Sequence, residues 1–91
     1  MTRVGRNVRV AGRVQGVFFR AWTQQQANEL HVSGWIRNCA DGAVEAHLAG
    51  EEPAVTALVE RLHAGPPSAV VSSVDVKEAE PEPGERFQVR H

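Results

Sequence analysis

The sequence predicts an α+β fold: one antiparallel sheet with two helices on one of its faces. Three observations carry this prediction. Residues 6–14 alternate apolar and polar positions with a period of two, as a half-buried strand does. Two later runs space their apolar residues at helical intervals. Between those runs, two strand-like segments flank an Asp-Gly pair, the residue types that tight hairpin turns favour.

The elements follow in order. In residues 6–14, Val8, Val10, Gly12 and Val14 share one face, and Asn7, Arg9, Ala11 and Arg13 share the other. A loop at residues 15–20 leads into a helix-forming run over residues 21–31. Phe19, Trp22 or Thr23, Ala27 and Leu30 lie near helical spacing there, with Trp22 as its core anchor. Residues 33–38 read as a second strand, Cys39-Ala40-Asp41-Gly42 as a turn, and residues 43–49 as a third strand. Val44, Ala46 and Leu48 face inward in it, and Glu45 and His47 outward. Gly50-Glu51-Glu52-Pro53 opens a second helix: acidic residues suit the positive end of a helix, and proline is tolerated in a first turn. Val55, Leu58, Val59 and Leu62 mark its buried face, and Gly65-Pro66-Pro67 stops it. Residues 68–77 form a fourth strand with Val70, Ser72, Val74 and Val76 in phase. Residues 78–85 are acidic and proline-rich and read as a solvated loop, and residues 87–90 close the chain as a short strand. The order β-α-β-β-α-β, with right-handed crossovers, gives the ferredoxin-like split β-α-β arrangement, in which the third strand lies between parallel first and second strands.

Composition bounds the function. A chain of 91 residues makes a single domain spanning 1–91 with one modest core. A net charge of −1 with mixed signs argues against a surface that neutralises many phosphates, so nucleic acid is excluded as a partner. No membrane-length apolar run and no signal-peptide pattern occur, and the lone Cys39 has no internal disulfide partner, which together predict a cytoplasmic protein with no membrane partner. No apolar stripe is left over, which predicts a monomer. His31, His47, His63 and His91 are scattered one per element and read as surface or helix-end residues; no metal and no cofactor are expected. Cys39 reads as a small, half-buried hydrophobe in a turn. The third strand lacks the aromatic residues an RNA-binding sheet of this topology would use, and no Gly-Lys-Ser/Thr nucleotide loop occurs.

The chemistry concentrates between Gly12 and Arg20. Gly12-Arg13-Val14-Gln15-Gly16-Val17-Phe18-Phe19-Arg20 holds two glycines, no carboxylate, and an arginine at the mouth of a helix. Such a loop can hold a small anion with backbone N–H groups and one fixed cation. The same glycines also suit an ordinary strand-to-helix turn. The fold order adds a second residue. Parallel strands end on the same sheet edge, so Asn38, closing the second strand, lies on the edge from which the loop departs. The two axes stand two inter-strand spacings apart, roughly 10 Å.

These residues resemble a known family. Gly12 to Arg20 resembles the signature loop of acylphosphatases. Gly34-Trp35-Ile36-Arg37-Asn38, followed by Asp41-Gly42-Ala43-Val44-Glu45, resembles their second block, and Gly65-Pro66-Pro67-Ser68-Ala69-Val70-Val71 their turn into the fourth strand. The resemblance covers essentially the whole chain in order. Departures are Ile36, where valine is frequent, and the ending Val89-Arg90-His91, where many members finish on an aromatic residue. The resemblance implies an enzyme that hydrolyses the carboxyl–phosphate anhydride of small-molecule acyl phosphates, with inorganic phosphate as product and inhibitor. It implies that Arg20 and the backbone of Gln15, Gly16, Val17, Phe18 and Phe19 bind the phosphoryl group, and that Asn38 orients the attacking water. The alternative is a non-catalytic phosphate-sensing module that keeps the loop.

Overall fold

The structure, a computed structural model, describes residues 2–91. Its elements are β1 (Arg3–Arg13), α1 (Phe19–Leu30), β2 (Ser33–Asn38), β3 (Val44–Glu51), α2 (Glu52–Ala64), β4 (Val70–Ala79) and β5 (Phe87–Arg90). The sheet order is β4-β1-β3-β2-β5. β3 pairs antiparallel with both β1 and β2, so those two run parallel on either side of it, as the sequence predicts. β5 adds a parallel edge beside β2, which makes the five-stranded sheet mixed.

The core lies between the helices and one sheet face. Val8, Val10, Ile36, Val44 and Leu48 of the sheet meet Phe19, Ala27, Val55, Leu58 and Leu62 of the helices. Alternation in the strands and i, i+3, i+4, i+7 spacing in α2 place these side chains on facing surfaces. The hairpin closes at the expected turn, where Cys39 N–H donates to Ala43 O at 2.8 Å and Gly42 N–H to Cys39 O at 3.2 Å.

The structure departs from the sequence reading at four places. Helix α1 begins at Phe19, so Phe19 and Arg20 belong to its first turn and not to the loop. Phe19 is its core anchor at 1% exposure, while Trp22 is half-buried against it with ring centroids 5.7 Å apart. In β4 the register against β1 shifts between Ala11 and Gly12, so Gly12 faces Val71 and Ala11 faces Ser73. This bulge turns Val71 to the core side and leaves Val70 61% exposed, which breaks the simple phase of Val70, Ser72, Val74 and Val76. A Cβ on Gly12 would lie 2.2 Å from Val70 O, so only glycine fits opposite the bulge.

The fourth departure is on the outer sheet face. His47 points there as predicted, but it is buried, not a surface residue. The acidic segment after β4 is not a free solvated loop; it folds over His47 as a strap. Glu82 N–H donates to His47 Nε2 at 3.0 Å, so Nδ1 carries the proton and donates to Asn7 Oδ1 at 2.8 Å. Arg3 holds the same strap through Glu82 O and Gly84 O, both at 3.1 Å.

Candidate active site at the first strand-to-helix junction

β1 delivers the chain to the site edge with Val14 buried as its last inward residue. Gln15 then turns its side-chain amide toward the hairpin. Its Nε2 donates to Cys39 O and to Ala43 O, both at 2.8 Å. The loop is thereby tied to the turn that follows Asn38. Asp41 braces that turn from outside: the Ala43 N–H donates to its carboxylate, with Arg9 beside it, and this holds the exposed Asp41 carboxyl below the usual range.

Gly16 adopts φ 72 and Phe18 φ 58, so the chain passes twice through the left-handed region within three residues. A Cβ on Gly16 would meet nothing within 4 Å, so its glycine answers a backbone need and not a steric one. Phe18 is the N-cap residue of α1, and its carbonyl accepts from Trp22 N–H at 2.9 Å. No side chain caps this helix, and its first turn holds no acid. Among the described residues, the main-chain N–H groups of Gln15 to Phe19 have no protein acceptor. A helix start with free N–H groups and no nearby carboxylate presents positive potential to an anion.

Arg20 stands in the first turn of α1. Its Nη1 donates to Arg90 O at 2.7 Å and lies 3.3 Å from His91 Nδ1. The closing strand therefore fixes one corner of the guanidinium fork. Asn38 ends β2 with an exposed side chain. One pocket of about 340 Å³ brings Gly16, Phe18, Phe19, Arg20 and Asn38 together. Of the other candidates, Gln15 is directed to the hairpin, and Val17 packs against the core while its carbonyl accepts from Ser68 Oγ at 3.4 Å.

Besides Val14 and Ala21, which neighbour predicted site residues in the chain, the closing segment contributes two wall residues that the sequence does not mark, Val89 and His91. The register explains their presence. Arg37 pairs with Arg90, so the next residue on each strand, Asn38 and His91, reaches the same edge. The signal that could have found them is the parallel placement of β5 beside β2, which the short run at residues 87–90 does not specify by itself.

Chemically, the pocket combines a bidentate-capable guanidinium, part of a loop whose N–H groups have no protein acceptor, and one neutral amide. The first two match the oxygens of a phosphoryl group. An amide can hold a water in both donor and acceptor roles.

Comparison with known proteins identifies the family. Residues 6–89 match the family model described as acylphosphatase. The chain is 49% identical over 89 residues to the acylphosphatase of Haloquadratum walsbyi, covering 98% of this chain and 96% of the relative. It is 52% identical over 73 residues to that of Rhizobium etli, covering 80% and 78% respectively. Among solved structures, an acylphosphatase from Coxiella burnetii superposes with a TM-score of 0.93 at 41% identity, over 97% of this chain and 93% of that one. A match that spans both the signature loop and the Asn38 block, over nearly full length in sequence and in shape, places this chain in the acylphosphatase family.

Proposed function

We propose that this enzyme cleaves the phosphorus–oxygen bond of acyl phosphates by direct attack of a water, with every catalytic contact supplied by the loop, Arg20 and Asn38. The observation that carries the reading is the shared pocket of Gly16, Arg20 and Asn38. Arg20 Nη1 is engaged by Arg90 O, which leaves Nε and Nη2 to face two phosphoryl oxygens. The free N–H groups of Gln15 to Phe19 take the remaining negative charge. The Asn38 amide holds the water in line with the acyl oxygen.

In the step itself a bond forms between the water oxygen and phosphorus. The bond to the acyl oxygen breaks, and its electron pair leaves on the carboxylate. The water's proton passes to a phosphoryl oxygen, giving inorganic phosphate. A carboxylate leaving group has a conjugate acid with a pKa of about 4, so it departs without protonation and the site needs no general acid. Phosphoryl transfer of this kind depends mainly on positioning and charge stabilisation, which guanidinium and backbone N–H groups supply without a metal. The reading includes action on small diffusing acyl phosphates by a monomer in the cytoplasm, without cofactor.

The test is direct. The purified protein is incubated with benzoyl phosphate in EDTA and loss of the anhydride is followed. Hydrolysis well above background, inhibited competitively by inorganic phosphate, is expected. Phosphate binding without hydrolysis would instead support a sensing module.

A further inference from the structure

Phe18 has a residue type that neither the backbone nor the core explains. It is 85% exposed, the most exposed large apolar side chain among the described residues. Its backbone is left-handed at φ 58, a conformation that glycine and asparagine adopt readily and aromatic residues seldom do. A turn alone would favour either of those two. The core does not need the ring, because Phe19, one residue on, fills the adjacent core position at 1% exposure. Yet Phe18 lines the pocket that holds Arg20 and Asn38.

That pocket has two kinds of wall. Arg20, Asn38 and Gly16 form its polar part, and Val14, Val89 and Phe18 form apolar surface beside it. A phosphoryl group engaged by the guanidinium and loop N–H groups occupies the polar part. The other half of the substrate, the acyl carbon and its substituent, must then project along the wall toward the rim. An exposed ring at the rim gains most from an apolar or aromatic surface laid against it.

We propose that Phe18, with Val89, forms an acyl subsite that selects acyl phosphates carrying an aromatic or branched apolar acyl group over those with a small one. The proposal rests on the hydrolytic reading above. Phe18 thus serves the site twice: its main chain belongs to the anion cradle, and its ring discriminates the leaving group.

The test compares kcat and KM for benzoyl phosphate and acetyl phosphate in the parent enzyme, in Phe18→Asn and in Phe18→Tyr. Asparagine keeps the left-handed backbone and removes the ring; tyrosine keeps both. The parent should favour benzoyl phosphate in kcat/KM. Phe18→Asn should lower the benzoyl-to-acetyl ratio by about tenfold, mainly through the KM of benzoyl phosphate, and Phe18→Tyr should restore it. A ratio unmoved by Phe18→Asn, or a parent with no preference, overturns the acyl subsite and leaves the hydrolytic reading standing. Failure of the parent to hydrolyse either compound overturns both.

Discussion

The chain passes from strand to helix twice, and the two junctions are built in opposite ways. Between β1 and α1 lie five residues, 14–18, with two left-handed positions and no acid at the helix start. Between β3 and α2 there are none: Glu51 ends the strand and caps the helix with extended backbone, and Glu52 and Pro53 form its first turn. The second junction answers its helix dipole from within the chain, with a carboxylate and a residue that lacks an N–H. The first leaves its N–H groups and dipole unanswered and adds Arg20 beside them. In the proposed reading, a helix start serves as an anion site by omission as much as by addition. One fold carries both solutions, so the ordinary junction serves as an internal control for the proposed site.

The largest expected effect comes from removing the cation. Arg20→Gln should lower kcat/KM by about 10³–10⁵-fold, the range associated with a guanidinium on a transferring phosphoryl group. It should also weaken phosphate inhibition. Near-parental turnover would remove Arg20 from the site. Next is Asn38→Ala, expected to lower kcat by about 10²–10³-fold, as loss of one transition-state contact does. Its distinguishing mark is a phosphate inhibition constant close to the parent's, because the amide is assigned to the water. A large rise in that constant would instead make Asn38 part of the anion cradle.

The comparison can be broken by making the first junction resemble the second. Ala21 is an exposed residue in the first turn of α1 and lines the pocket. Ala21→Glu would place a carboxylate in the first turn of α1, as Glu52 stands in the first turn of α2. Phosphate inhibition should weaken by about tenfold or more and the helix should lose nothing, since the new charge suits its dipole. Unchanged phosphate inhibition, measured by benzoyl phosphate hydrolysis at several phosphate concentrations, would show that the free dipole is irrelevant to binding. Gly16→Ala tests the loop conformation itself. The new Cβ has open space, so the cost is the left-handed backbone alone, about 1–2 kcal/mol. A thermal scan should show a loss of several degrees, with reduced turnover.

The contrast between the junctions also explains what was legible in the sequence. Local chemistry is legible in the Asp-Gly hairpin, the bounds of β2 and the buried face of α2, and the strand order adds one long-range placement, Arg20 and Asn38 at the same edge. What escaped detection depends on contacts distant in sequence or on one rare dihedral. Phe18 in a left-handed conformation lets α1 start immediately after it, and nothing about a phenylalanine signals this. The bulge at Gly12 reverses the phase of β4 through pairing with another strand. Alternation placed His47 on the outer face, but burial there is imposed by the strap from residues 80–86, which no pattern within β3 records. His91 enters the site because β5 docks parallel to β2, a tertiary choice for a four-residue strand.

The smallest effect belongs to the ordinary junction and sharpens the comparison from its other side. Glu52 is mostly exposed, with one oxygen 3.8 Å from Arg6 Nη2, so its ion pair is screened and its main contribution is to the dipole of α2. Glu52→Gln should lower stability by about 0.3–1 kcal/mol, seen as a small drop in melting temperature that shrinks at high salt. Its acyl phosphate turnover should match the parent's, because the carboxylate at this junction answers only its own helix. Ala21→Glu and Glu52→Gln therefore form opposite arms: a charge added at one helix start costs function, and a charge removed at the other costs only stability. A loss of turnover in Glu52→Gln would mean that the second junction also communicates with the site, and the two helix starts would no longer be separable in function.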